Sequence, residues 1–341
     1  MEFKEIGHIN YAENICVGEN EIYVSSRSML ESYSRKDLTK SKIESDYMGQ
    51  TEIISSEDCK YIVELSTMRR IKVRDKNSKK VYVSISEPVR GYVPYQGCIS
   101  IDSKSFFLII TKPDVDIIPS YFIDEINEKY SFKLVELSLP DLKLVRIIDC
   151  GETKICNIQR VKFLNSYLLQ DTSRRFLMMN QEYMLSLISL PIYIDNDEKI
   201  FINEEKEEFY SKTPYGIKIY NRDFIERDSL LFFENDKVII DNLYSGVKKD
   251  KVSKDIFSIT DLSSFRKYIK ILRVLKSDVL IYTINDMLTQ NSLLMYYSFQ
   301  NNKHIKILEL ANFIEELICY KETIVVVERR NAHVLEVIDN G

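Results

Sequence analysis

One unit recurs along this chain of 341 residues: a short apolar run, a polar turn, then a second run of about three apolar residues. It reads Ile15-Cys16-Val17 then Ile22-Tyr23-Val24, Ile53-Ile54 then Tyr61-Ile62-Val63, and Ile99-Ser100-Ile101 then Phe106-Phe107-Leu108. It returns as Val161-Lys162-Phe163-Leu164 then Tyr167-Leu168-Leu169, and as Ile192-Tyr193-Ile194 then Ile200-Phe201-Ile202. Three more follow: Leu231-Phe232-Phe233 then Val238-Ile239-Ile240, Val274-Leu275 then Val279-Leu280-Ile281, and Leu317-Ile318-Cys319 then Ile324-Val325-Val326-Val327. The starts are spaced by about 43 residues on average. A steady period of this size means that each unit is one supersecondary element that buries its apolar faces only against its neighbours. A chain this long otherwise suggests two ordinary domains of roughly 100–200 residues. The repeat favours a single domain over 1–341 instead.

Each unit has a second half, an alternating strand, a turn rich in Asp, Asn, Ser and Lys, and a last strand. Examples are Leu30 to Tyr33, Ser34-Arg35-Lys36-Asp37 and Lys42-Ile43, and Ile71-Lys72-Val73, Asp75-Lys76-Asn77-Ser78 and Val81 to Ile85. A third is Ile256 to Ile259, Asp261-Leu262-Ser263-Ser264 and Tyr268-Ile269. Alternation bounded by such turns is the hairpin signal, because Asp and Asn bond their own backbone and tolerate left-handed geometry. Each unit therefore reads as a four-stranded antiparallel meander. The last unit, 317–341, has room for three strands, through His333-Val334-Leu335-Glu336-Val337-Ile338. An orphan alternating segment at the other end, Phe3-Lys4-Glu5-Ile6-Gly7-His8-Ile9, supplies the fourth. Strand 3–9 then completes the last unit and protects sheet edges that would otherwise invite aggregation.

This order and period resemble the β-propeller superfamily over essentially the whole chain, near the WD40 and YVTN-like group. The resemblance implies an all-β ring of four-stranded antiparallel blades closed by the N-terminal strand. Eight blades are favoured and seven are the other count, because the compact stretch Val161 to Ser189 fits four short strands. A β-sandwich joined to another domain explains the strands but not the period. No unit carries the Gly-His and Trp-Asp of WD40 repeats or the Gly-Gly of kelch repeats, and tryptophan is absent altogether. No family's functional residues can be carried over.

With 47 Lys and Arg against 52 Asp and Glu, the chain has no basic field to hold nucleic acid by counterion release. Charges fall within what would be the apolar core of an N-terminal signal, and no window approaches the roughly 18 apolar residues of a membrane span. A cytoplasmic protein with neither nucleic acid nor membrane as partner is expected. The cysteines Cys16, Cys59, Cys98, Cys150, Cys156 and Cys319 show no metal-binding spacing and read as small hydrophobes. The acidic stretch Asp195-Asn196-Asp197-Glu198 lacks the Gly and distal Glu of a calcium loop and reads as a hairpin turn. His8, His304 and His333 fall in strands, His8 beside His333 in the closing blade. No nucleophile elbow, phosphate loop, dinucleotide fingerprint or H-E-x-x-H occurs. Neither a metal nor a cofactor is expected, and no catalytic residue can be named.

Loop register gives the one site signal. The turns between second and third strands read Ser25-Ser26-Arg27-Ser28, Ser66-Thr67-Met68-Arg69-Arg70, Asp171-Thr172-Ser173-Arg174-Arg175 and Glu328-Arg329-Arg330-Asn331. Arg90, in an inter-blade stretch with Tyr92 and Tyr95, belongs to the same face of a propeller. Guanidinium groups present fixed donors matched to carboxylate and phosphate oxygens. Arg27, Arg69, Arg70, Arg90, Arg174, Arg175, Arg329 and Arg330 are thus the candidate binding residues. Longer connections are expected at Thr111 to Lys129, Asn203 to Tyr215 and Asp241 to Asp255, the second including Glu204-Glu205-Lys206-Glu207-Glu208 and the third Lys248-Lys249-Asp250-Lys251. The expected function is a non-enzymatic scaffold that binds a protein or peptide partner, acidic or phosphorylated, through this loop face. The alternative is a hydrolase or lyase acting on an anionic or sugar-like substrate at the channel mouth.

Overall fold

The computed structural model describes residues 2–26, 29–45, 51–55, 59–66, 70–112, 132–173, 175–188, 200–212, 216–231, 233–234, 237–238, 267–276, 278–286, 289–301 and 303–338. Their strands form seven four-stranded antiparallel sheets, the blades of a β-propeller. Seven is the smaller of the two counts that the repeat allows. Among the described residues no helix is long and apolar enough to cross a membrane.

The blades fall into two compact units. The first strand, β1 (Glu2–Asn10), belongs to the last blade. The unit Ala12–Leu190 holds four blades. They are β2 (Asn14–Val17) to β5 (Lys40–Ser45) through β3 (Glu21–Ser26) and β4 (Met29–Ser34), then β6 (Thr51–Ser55), β7 (Tyr61–Ser66), β8 (Arg70–Asp75) and β9 (Val81–Ile85). The third comprises β10 (Val93–Ile99), β11 (Ser105–Thr111), β12 (Phe132–Ser138) and β13 (Leu144–Ile148), and the fourth β14 (Ile155–Val161), β15 (Ser166–Asp171), β16 (Phe176–Met179) and β17 (Leu185–Ile188).

The other unit, Met1–Tyr11 with Pro191–Gly341, holds three. The fifth blade is β18 (Phe201–Asn203), β19 (Glu208–Lys212), β20 (Gly216–Tyr220) and β21 (Glu226–Leu231). A separate two-residue ladder follows, β22 (Phe233–Glu234) with β23 (Lys237–Val238). The sixth blade is β24 (Lys267–Lys276), β25 (Val279–Asp286), β26 (Ser292–Ser298) and β27 (Lys303–Leu310). The seventh is β28 (Ile314–Tyr320), β29 (Thr323–Glu328) and β30 (Asn331–Ile338), completed by β1 in the order β1-β30-β29-β28.

The favoured count of eight fails in the 190s to 260s. Phe201 opens the first strand of the fifth blade, where the repeat placed it in a second strand. Leu231 pairs with Gly216 and so ends that blade instead of starting another. Tyr268 and Ile269 lie in the first strand of the sixth blade, not in the outer strand of a preceding one. The expected segments Ile192-Tyr193-Ile194, Asp195-Asn196-Asp197-Glu198, Ile239-Ile240, Lys248-Lys249-Asp250-Lys251, Ile256 to Ile259 and Asp261 to Ser264 lie outside the described residues, as do 113–129 of the Thr111 to Lys129 connection and all of 241–255.

The apolar runs exist because a blade is buried on both faces. In β11, Phe106, Leu108 and Ile110 pack with Val63, Ile71 and Val73 of the second blade. The alternate residues Phe107 and Ile109 pack with Ile158, Leu169 and Met179 of the fourth. The sixth blade repeats this with Tyr282 and Met295 toward Tyr210 of the fifth, and Ile281 and Leu294 toward Leu317 and Val326 of the seventh. A strand with no solvent face has no reason to alternate.

The turns between third and fourth strands also repeat. Asp75 Oδ1 accepts hydrogen bonds from the backbone N–H groups of Asn77 at 3.0 Å and Ser78 at 2.7 Å. Asn180 and Asn221 act similarly. Each such turn of the first five blades contains a left-handed residue, namely Leu38, Lys79, Leu142, Tyr183 and Phe224. Several of these side chains reach a neighbouring blade: Lys79 pairs with Glu21 of the first, and Tyr183 donates to Glu136 of the third at 3.0 Å.

His304 in β27 is buried, and its Nδ1 lies within hydrogen-bond distance, 2.9 Å, of the Tyr282 hydroxyl. Burial holds the imidazole down at about 4. An unfolded histidine takes up its proton near 6.5, so between pH 6.5 and 4 the unfolded chain binds a proton that the folded one refuses. The stabilisation is present above pH 6.5 and is lost as pH falls toward 4, by about 3 kcal/mol in full at 1.36 kcal/mol per unit. Urea unfolding at pH 7 and 4.5 should show wild type losing about 2–3 kcal/mol more than His304→Gln.

Candidate functional site

The turns between second and third strands form one end of each blade. In the seventh blade this turn is two residues long. Glu328 pairs with Asn331 across the ladder, so Arg329 and Arg330 alone reverse the chain. Their φ values are 44° and 67°, both left-handed. Two left-handed residues in a two-residue hairpin make the type I′ geometry, which matches strand twist but favours Asn-Gly. Two arginines there carry a steric cost of about 1–2 kcal/mol each. Both side chains are exposed.

In the fourth blade the turn is built on Asp171, which is 2% exposed. Its Oδ1 accepts from the Arg175 backbone N–H at 2.8 Å, and its Oδ2 from Arg175 Nε at 2.7 Å. The Asp171 N–H donates in turn to the Arg175 carbonyl at 3.0 Å. Arg175 is thereby fixed in direction at the base of its turn. Cys156 beneath it is pushed up to about 12, first by burial and then by the Asp171 charge, so it is an unreactive thiol.

Arg70 begins β8 opposite Ser66 and is exposed. Arg90 is exposed in the turn between the second and third blades, where Gly91 N–H donates to Glu87 Oε2 at 3.3 Å. The neighbouring tyrosines do not offer a ligand platform. Tyr92 is buried in the core between those blades beneath Lys133, and Tyr95 meets Phe132 edge-on at 5.4 Å. Arg27, Arg69 and Arg174 lie outside the described residues. Arg70, Arg90 and Arg175 belong to one unit, and Arg329 and Arg330 to the other.

The long connection expected from Asn203 to Tyr215 instead holds a short first turn and strand β19, with 213–215 outside the described residues. Glu208 within it is structural: it accepts from the Tyr210 hydroxyl at 2.8 Å and from Arg227 at 2.9 Å.

A second group of polar side chains lies at the same end of the seventh blade as the arginine turn. His8 in β1 stands directly opposite His333 in β30, with ring centroids 4.7 Å apart. Glu5 Oε1 lies 3.0 Å from His333 Nδ1 and 3.3 Å from His8 Nδ1. On its far side, His333 Nε2 lies 3.4 Å from Glu328 Oε1, while Asn312 Nδ2 donates to Glu328 Oε2 at 3.3 Å. The sequence reading placed His8 beside His333 but missed Glu5 and Glu328. The signal was available only through strand register, since Glu5 and His333 are 328 positions apart.

No protein-family model matches the chain, and no curated protein matches its sequence.

Replacing Arg329-Arg330 by Asn-Gly should stabilise the protein by up to about 2–4 kcal/mol, because the left-handed cost of both positions is relieved while the ladder is kept. Denaturant midpoints at unchanged slope will measure it.

Proposed function

We propose that this propeller is a non-enzymatic binding scaffold, acting as a single domain, that engages an acidic or phosphorylated segment of a protein partner through the loop face formed by its second-to-third-strand turns and inter-blade turns. The proposed anchors are Arg27, Arg69, Arg70, Arg90, Arg174, Arg175, Arg329 and Arg330. Support comes chiefly from the Arg329-Arg330 turn, where the chain holds two exposed cationic side chains in a backbone geometry that disfavours them. Retained local strain at an exposed turn is the kind of outlier from which a functional role is inferred. The Asp171-held Arg175 adds a second pre-oriented guanidinium, and a fixed fork loses less entropy when it grips an oxyanion. Cys59, Cys98, Cys150, Cys156 and Cys319 are free thiols, which supports a reducing compartment such as the cytoplasm.

Binding of acidic and phosphoserine peptides, measured by calorimetry, tests the reading. Wild type should bind a phosphorylated peptide more tightly than its unmodified form, with affinity falling as salt rises. Arg329→Ala with Arg330→Ala should weaken it about 10-fold or more, the scale of a charge-assisted hydrogen bond lost. Unchanged affinity in that variant, or no preference for anionic peptides, would sink the proposal. Because the Asn-Gly variant is expected to be more stable, its loss of binding cannot be ascribed to unfolding.

A further inference from the structure

We propose that Glu5, His8 and His333 form a site for one divalent transition-metal ion of the zinc type, which clasps the amino-terminal strand to the carboxy-terminal one. The reading stands apart from the arginine turns and rests on the register of β1 with β30.

In a regular strand Glu5 and His8, three residues apart, face opposite sides of the sheet. Here the ladder shifts between Glu5 and Gly7, so that Glu5 pairs with Leu335, Gly7 with Val334 and His8 with His333. The extra residue, Ile6, restores Glu5 and His8 to one face, and Leu335 and His333, two apart on β30, share it. A bulge that re-aims a side chain in this way is a recurrent device at functional positions.

The resulting spacing approaches that of a coordination shell. The three ligand atoms all lie within 4.8 Å of one another. The two separations from Glu5 Oε1, 3.0 and 3.3 Å, match the edge of a tetrahedron with zinc bonds of about 2.0–2.1 Å, which is roughly 3.3 Å. Two imidazoles and one carboxylate suit zinc and its neighbours, whereas magnesium and calcium prefer oxygen ligands throughout.

The surroundings are also those of a metal ligand. A neutral imidazole carries one N–H. When His333 donates that proton from Nε2 to Glu328, the Nδ1 lone pair points toward Glu5 Oε1. A carboxylate behind a ligating histidine fixes its tautomer and raises its basicity. Glu328 is itself oriented by Asn312. His333 is 14% exposed, whereas His8 is 55% exposed, so the set is anchored on its inner side and open to solvent on its outer side. The fourth position is left to water.

Such an ion bridges the two ends of the chain, since β1 supplies two ligands and β30 the third. It stabilises the folded state by mass action, because the unfolded chain has no preformed site.

The test uses the full chain, freed of metal by chelator, with Zn2+ as probe. Titration should give one ion per chain at this site and a raised thermal midpoint, with no rise from Mg2+. His8→Ala and His333→Ala should each weaken Zn2+ binding at least 10-fold and abolish the thermal shift, and Glu328→Gln should weaken it about 10-fold. His8 is exposed, so His8→Ala is expected to keep the wild-type circular dichroism and serves as the decisive variant should His333→Ala unfold. Equal Zn2+ affinity and equal thermal shift in wild type and His8→Ala would assign the ion to other groups, the thiols included, and overturn the proposal. Failure of wild type to bind Zn2+ would overturn it as well.

Discussion

The last blade depends on backbone borrowed from the other end of the chain. Its own strands, β28 to β30, leave one edge of β30 with unpaired N–H and C=O groups, and buried backbone polar groups must be satisfied. β1 supplies the partner along almost the whole length, from Glu2 opposite Ile338 to Asn10 opposite Asn331. The pairing brings apolar surface with it. Phe3 packs into the core between the sixth and seventh blades and lies 5.2 Å from Tyr296, while Ile9 is 1% exposed. Phe3 and Ile9 are six residues apart and would share a face in a regular strand. The bulge places them on opposite faces, so one short strand is anchored on both sides. The irregularity that brings Glu5 to His8 is thus also the one that seals the strand.

Much of this was legible because burial on both faces writes itself into the sequence. Central strands such as Ser105–Thr111 and Val279–Asp286 show continuous apolar runs, and the polar turns between them set the period. The count was harder. β18 has only three residues, Phe201–Asn203, too short to stand out beside the apolar run at Ile192 that the spacing favoured. The outer strands blurred the pattern further, since Leu144, Val145 and Ile147 in β13 are apolar yet 45–48% exposed. Turn chemistry was legible through Asp75, Asn180 and Asn221. The left-handed positions were not, because Leu38, Lys79, Leu142, Tyr183 and Phe224 are residue types that local propensity steers away from that conformation. Leu142 and Tyr183 hold it while their side chains pack into neighbouring cores, which compensates the local cost.

The candidate residues divide in the same way. Arginine in the second-to-third turns was visible as a residue type at a recurring register, but its energetic meaning lies in geometry. Arg175 is directed by a buried carboxylate four positions back, and Arg329 and Arg330 sit in a turn built for Asn and Gly. The histidine pair was visible through the expected pairing of the chain ends. Its carboxylates were not, because Glu5 reaches the pair only through a bulge and Glu328 only through the turn that precedes β30.

Glu328 connects the two features of this end of the blade. Its backbone closes the hairpin by pairing with Asn331, immediately beside Arg329 and Arg330, and its carboxylate lies between His333 and Asn312. The residue is mostly buried, so its charge is poorly solvated and its hydrogen bonds carry more weight than they would at the surface. Whatever fixes the tautomer and position of His333 therefore also fixes the base from which the two arginines project. An arginine pair grips an oxyanion well only if its base does not give way, since each ordered rotamer costs about 0.5–1.5 kcal/mol on binding. The Asn312–Glu328–His333 chain ties the backbone of the turn to β1 and to the connection that precedes β28. The pairing of the two chain ends and the backbone of the Arg329-Arg330 turn thus meet at one residue, Glu328.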